Sequence, residues 1–240
     1  MFVLCRVADV IQVAPELFSS DYSSVLIEEI DRKYANKVVA DVGLCITHYD
    51  FIEIGDAYIH PSDGTSHTDV IFRMVVFRPF IGEILKGKII SCTEEHIRVS
   101  MDFMQDIIIP SYAMQNPSFF DKTERLWEWK FPGREGIYCY AALPPIPTFV
   151  DDQDPYYMYL NEEIRFRVTN INFTRVLKTA KGMQAVTDAT DSKPDKHEAP
   201  SRRRSSSVDL SDSDPKPAAL QIIGTIDEDG LGLSSWWVET

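Results

Sequence analysis

Residues 63–89 read DGTSHTDVIFRMVVFRPFIGEILKGKI. An Asp-Gly turn signal opens the stretch, and Val70, Ile71, Phe72, Met74, Val75, Val76 and Phe77 then form a run suited to a strand buried on both faces. Pro79 cuts the run, and IGEILKGKII begins a second strand almost at once. A junction of this kind joins two small domains with almost no linker. It predicts one domain over 1–79 and a second over 80–240.

Working outward, the first domain reads strand, helix, strand, strand. FVLCRVADVIQV (2–13) is strand-like, and Asp21 is placed to cap a helix over about 22–36. Val25, Leu26, Ile30 and Tyr34 recur on one face of that helix, with Glu28, Asp31 and Arg32 off it. VVADVGLCITHYDFIEI (38–54) reads as one long strand bent at Gly43, followed by the strand at 69–78. An antiparallel sheet with one main helix across it is expected, and its open edges invite a partner.

The second domain reads as all-β, which makes the fold class α+β. Residues 87–92, 96–101 and 106–111 have the rhythm of the first three strands of an OB-fold. Ile97, Val99 and Met101 point one way, and His96, Arg98 and Ser100 the other. EEIRFRVTNINF (162–173) supplies a fourth strand and LQIIGTI (220–226) a fifth, which together predict a five-stranded Greek-key barrel. RLWEWKF and YYMYL suit an extra hairpin, with the Pro-rich stretch 133–155 as its inserted loop. Residues 178–217, which include SKPDKHEAPSRRRSSSVDLSDSDPKP, are expected to be a disordered insertion, because they hold too little apolar surface to offset their ordering entropy.

Composition narrows the function. At 44% hydrophobic, the 240 residues support a core. No apolar run is long enough for a membrane span, and the start lacks a basic n-region and cleavage signal, so no membrane partner is expected. The cysteines Cys5, Cys45, Cys92 and Cys139 are far apart, which suits reduced thiols in a nuclear or cytosolic compartment. The net charge of −13 argues against an independent high-affinity nucleic-acid binder, since that affinity comes from Lys and Arg.

No catalytic motif survives inspection. Residues 82–88 satisfy G-x-x-x-x-G-K, but Ile89 stands where a Mg²⁺-binding hydroxyl is needed, and Ile84-Leu85 belong to a strand. Gly87 is expected to allow a tight bend there. His48, His60 and His67 lack metal-ligand spacing, and no CxxC is present. Ser66-His67 with Asp63 are adjacent turn residues that cannot converge as a triad. The chain is therefore expected to have no catalytic, metal or cofactor residues.

Six stretches carry a family resemblance: NKVVADVGLCI (36–46), residues 63–89, DIIIP (106–110), LWEWKF (126–131), YLNEEIRFRV (159–168) and GLGLSSWW (230–237). In this order they resemble the larger stalk subunit of RNA polymerase, a family with archaeal and eukaryotic members. The Ser66-His67-Thr68 turn, Trp127 and the Trp236-Trp237 end are most similar to the version in eukaryotic RNA polymerase III. The resemblance implies a nuclear, non-catalytic subunit with an N-terminal tip domain and a C-terminal OB domain. It also implies a heterodimer with a smaller helical stalk subunit, docking on the polymerase III core, and roles in initiation and in contacting nascent RNA. Two alternatives stay open: the stalk of another nuclear polymerase, or a free-standing OB-fold RNA-binding protein.

RNA contact is expected to be weak and local, from Lys86, Lys88, Arg98, Arg165 and Arg167. Barrels of this kind often present an aromatic on strand two and a histidine on strand three; those places hold Arg98 and Ile109 here. Ordinary solvated strand faces are the plainer reading of the same residues. Trp236 and Trp237 are candidate partner anchors, or else pack on their own barrel. Arg202-Arg203-Arg204 ahead of Ser205, Ser206 and Ser207 fits a basophilic kinase site, although Arg-Ser runs arise freely in disordered sequence.

Overall fold

The computed structural model describes residues 1–59, 61, 64–130, 156–179, 182–190, 204–210 and 217–237. Apart from single-turn 3₁₀ segments and one α-helix, the regular structure of these residues is strand. They divide into two compact units, the first holding Met1–Phe80, Phe173–Thr187 and Ser207–Leu220, the second the rest. The first break therefore lies one residue beyond the boundary expected from Pro79. The return of 173–187 and 207–220 to the first unit has no counterpart in the sequence pattern.

In the first unit a sheet is ordered β1-β4-β3-β2, from β1 (Phe2–Val13), β2 (Val38–Val39), β3 (Gly43–Ile59) and β4 (Ser66–Phe77). The β1–β4 ladder is unbroken from Phe2↔Phe77 to Val13↔Ser66. Helix α1 (Tyr22–Tyr34) starts where Asp21 accepts hydrogen bonds from the Ser24 amide and hydroxyl at 3.0 and 2.7 Å. Its buried face of Val25, Leu26 and Ile30 packs with Ile11, Val13, Val70, Phe72, Met74 and Val76 on one side of the sheet.

Two local expectations change. Residues 38–54 do not form one bent strand. Asp41, at a φ of 65°, turns the chain so that Val39 pairs with Gly43 in a tight hairpin, and β3 then continues to Ile59 through several register shifts. Ser66, His67 and Thr68 are paired strand residues and not a turn. Ser66 and Thr68 are buried, and the Thr68 hydroxyl meets the Tyr22 hydroxyl.

The second unit is built on β5 (Ile84–Cys92), β6 (His96–Ser100), β7 (Ile107–Pro110), β11 (Glu163–Thr179) and β14 (Leu220–Thr225), the last two running partly into the first unit. Pairing follows β5-β6-β7-β14-β11, and β11 pairs with β5 again. The β5–β6, β6–β7 and β5–β11 ladders are antiparallel, whereas β7–β14 is parallel. Leu85, Ile89, Ile97, Val99, Ile107, Ile109, Ile164, Phe166 and Ile222 alternate inward and are buried. Gly87 stands beside the point where β5 passes from pairing with β11 to pairing with β6, and it lets β5 and β6 approach, since a Cβ there would stand 2.5 Å from Val99 Cγ1 and 2.7 Å from the Ser100 carbonyl oxygen.

A separate three-stranded sheet is ordered β10-β9-β8, from β8 (Ser118–Asp121), β9 (Leu126–Trp129) and β10 (Tyr156–Met158). The hairpin expected from RLWEWKF and YYMYL is its β9–β10 pair, while β8 is an addition to that expectation.

The expectation of disorder over 178–217 fails in part. β11 runs to Thr179, and β12 (Gly182–Thr190) and β13 (Arg204–Leu210) extend the sheet in the order β13-β12-β11. These strands need no core of their own, because backbone pairing to an existing strand supplies their order. The Thr174 and Thr187 hydroxyls meet at 3.0 Å, and Ala185 is buried. The rest of that expectation, and the 133–155 loop, lie outside the described residues.

Candidate functional site

The alternation that buries Leu85, Ile89 and Phe166 turns Lys86, Lys88, Arg165 and Arg167 to the outside of β5 and β11. Register then sets their spacing. Arg165 is opposite Lys86, Glu163 is opposite Lys88, and Arg167 is opposite Ile84. Arg98 is exposed on β6, opposite Ser91. All five expected cations thus stand on the outward face of three neighbouring strands.

Their charge is largely compensated. Lys86 pairs with Glu163 at 3.1 Å, Arg98 with Asp106 at 2.7 Å, and Arg167 with Glu228 at 2.7 Å. Arg98 also donates from Nε to the Gln105 carbonyl at 3.1 Å. Glu163 is held below its ordinary carboxylate range by its hydrogen bond to Lys86, a second to Ser234, and the neighbouring charges of Lys86 and Arg165. Among the described residues no carboxylate stands within ion-pair distance of Lys88 or Arg165. The cations are visible in the sequence, but Asp106 and Glu228 are not visible as their partners, since they lie far from them in the chain or beyond a turn.

Ile109 is fully buried in the core, so it is not available to RNA; its neighbours Ile108 and Pro110 are the partly exposed residues of β7. The reason is the pleat: β7 buries Ile107 and Ile109 together, two residues apart.

Trp236 packs on its own unit. Its ring lies 5.0 Å from that of Trp129 and 6.0 Å from that of Tyr156, and over Gly232, where a Cβ would meet it at 2.6 Å. Trp237 donates its indole N–H to the Leu231 carbonyl at 2.9 Å, yet the residue is 40% exposed. Trp127 and Trp129 are buried, and Trp127 donates to the Thr93 carbonyl at 2.8 Å.

Ser206 and Ser207 are exposed on β13; the surroundings of Ser205 lie outside the described residues, although its backbone belongs to the same strand. Burial pushes the Cys45 thiol up and the Cys92 thiol up to about 11, so both are weak nucleophiles near neutral pH. Among the described residues, no group of three His, Cys, Asp or Glu is arranged to hold a metal, and no helix is long and apolar enough to cross a membrane.

Residues 83–237 match the family described as RNA polymerase III subunit Rpc25. The chain belongs to the Rpc25 family. Residues 8–64 match the SHS2 domain found in the N terminus of Rpb7p and Rpc25p, so the two matches fall on either side of the break after Phe80. Among relatives, the chain is 38% identical over 240 residues to DNA-directed RNA polymerase III subunit RPC8 of Bos taurus, covering 100% of both chains. It is 35% identical to the corresponding subunit of Schizosaccharomyces pombe, covering 99% of this chain and 100% of the relative. Similarity to the polymerase II subunit RPB7 of Saccharomyces cerevisiae is 32% over 94 residues, 39% of this chain and 54% of that one. Within the Rpc25 family stretch lie all five candidate cations, both candidate Trp anchors and Ser205–Ser207.

Proposed function

We propose that the chain is the larger, non-catalytic subunit of the RNA polymerase III stalk, acting in the nucleus as a heterodimer with a smaller helical subunit. The observation that carries this reading is the end-to-end match to polymerase III subunits, without a gap in coverage at either unit. A tip domain over residues 1–79 docks the chain on the polymerase core. Residues 80–240 are read as an OB-fold barrel with insertions. The return of β11 to β5 and the parallel β7–β14 pair support that reading, as strands one, four, three and five of such a barrel pair in this way.

Nascent RNA is touched weakly. Lys88 and Arg165 make that contact, and Lys86, Arg98 and Arg167 contribute less because their carboxylate partners must first be displaced. Trp237, the residue left partly exposed, is the better placed of the two terminal tryptophans to meet a partner. Phosphorylation at Ser205, Ser206 or Ser207 would add strong negative charge beside the three arginines and regulate the subunit.

The test is mass spectrometry of proteins that stay with the endogenously tagged chain through a high-salt wash. The polymerase III core together with a small helical subunit is the expected recovery. Polymerase II would reassign the enzyme and keep the stalk role. Recovery of RNA or ribosomes without any polymerase would overturn the reading.

A further inference from the structure

We infer that the shallow cleft formed by Tyr156, Tyr157, Tyr159, Trp236 and Glu162 seats a cationic side chain, an arginine or lysine, from a partner protein. The cleft has a volume of about 290 Å³, is open to solvent, and is floored by buried Leu233. It lies wholly within the second unit, and the inference does not depend on the stalk reading.

Four aromatic residues line the cleft. Tyr157 and Tyr159 are 6.1 Å apart, and Tyr156 meets Trp236 edge-on at 6.0 Å. Trp236 is fixed in place from behind by Trp129 and by the close approach of Gly232, so its ring is preorganised. Aromatic faces attract cations through the ring quadrupole, more strongly when water is partly excluded.

Glu162 sets the sign of the ligand. Its Oε2 is buried and has no hydrogen-bond partner among the described residues, while its backbone carbonyl is used by the Ile89 amide at 3.1 Å. Glu162 is the carboxylate among the residues that line the cleft, so an incoming guanidinium or ammonium meets an opposite charge there. The surroundings agree. The Tyr157 hydroxyl is held above its usual range by burial and by the nearby charges of Glu128, Asp121 and Glu124. A nucleotide would stack on the same rings, but it would bring phosphate into this negative field.

The test is a titration of the full chain, labelled with ¹⁵N at its tryptophans, with N-acetyl-arginine amide and with tetramethylammonium. N-acetyl-citrulline amide serves as the neutral isostere and a short oligouridylate as the nucleic-acid probe. A saturable shift of the Trp236 indole resonance with both cations, at millimolar affinity as befits one side chain, is expected. Glu162→Gln, which preserves shape, is expected to weaken binding by roughly tenfold. Tyr157→Leu is expected to weaken it about threefold or more. The Trp127 indole resonance, buried and bonded to Thr93, reports whether each variant is folded. Citrulline binding as well as arginine, full affinity in Glu162→Gln, or a response to oligouridylate alone would each overturn the inference, as would no shift at all with the folded wild-type chain.

Discussion

Glycines at three positions do three different things. Gly82 sits at a φ of 89° with nothing within 4 Å, so Gly82→Ala meets backbone strain alone, about 1–2 kcal/mol. Gly87 has ordinary strand geometry but no room, because Val99 is stiff at its branch and the Ser100 carbonyl is backbone. Gly87→Ala is expected to cost about 1–3 kcal/mol. Gly232 combines both problems, with a φ of 99° and the Trp236 ring where a Cβ would be. Gly232→Ala should therefore be the most damaging of the three, and it should also change tryptophan fluorescence in the folded state. Denaturant melts of the three variants, read by circular dichroism and by fluorescence, check the order. A Gly-Lys pair in a strand reads from sequence as a bend, whereas close packing depends on which strand lies opposite, and that is a matter of register. The burial of Ile109 depends on register in the same way, as its face of the pleat is set by where β7 begins.

At the level of elements, β1 and α1 are fastened by Asp9, which accepts from Lys33 Nζ at 2.5 Å and from the Tyr34 hydroxyl at 2.6 Å. Burial works against the Asp9 carboxylate, but its hydrogen bonds to Lys33 and Tyr34 outweigh this and hold its pKa below the ordinary value. A carboxyl lowered in the folded state adds stability above its unfolded pKa of about 4, and loses it as pH falls through the folded value. Asp9→Asn is therefore expected to cost about 1 kcal/mol at pH 7, with half-exposed Lys33 contributing little, and progressively less as pH falls through the folded value. Tyr34 carries the opposite sign, because burial and Asp9 raise its hydroxyl pKa. Its contribution is complete below about pH 10 and fades above, so Tyr34→Phe should flatten the alkaline limb of the stability curve. Urea melts across the pH range check both. The face of β5, β6 and β11 makes a further prediction about elements. Lys88→Glu with Arg165→Glu should weaken RNA binding by the heterodimer at low salt more than Arg98→Glu with Arg167→Glu, whose side chains are already paired. Filter binding over a salt series, with a shallow slope of about −1 to −2 for the wild type, would show it. β1, α1, β5, β6 and β7 are legible in the sequence because alternation or helical period dominates each of them. β2, β8, β12 and β13 are not, since each is short or polar and owes its order to the strand beside it.

For the whole molecule, the acidic balance and the first sheet point the same way. Helix α1 covers one face of that sheet, and the other carries Phe2, Leu4 and Val10 on β1, each well exposed, beside Val75 and Ile71 of β4. These exposed apolar side chains, interrupted by Arg6 and by the Arg73–Asp50 ion pair, are a liability in a free protein and an asset in an obligate subunit. A net charge of −13 keeps such a chain from binding nucleic acid indiscriminately while leaving its apolar contacts intact. Leu4 and Val10 project from the ladder without supporting the core beneath, so Leu4→Glu with Val10→Glu should shift the folding stability of the chain by only about 1 kcal/mol in total. If the face is where the polymerase or the smaller subunit docks, two carboxylates placed there must be desolvated without partners, and recovery of the complex should fall by more than tenfold. Co-expression with the proposed smaller subunit should raise the soluble yield of the wild-type chain. Quantitative co-purification alongside a thermal melt separates the two causes. An intact melt with lost recovery locates the docking face on β1 and β4, whereas an intact melt with full recovery removes this face from the interface and leaves the edges of the sheet as the surface to examine.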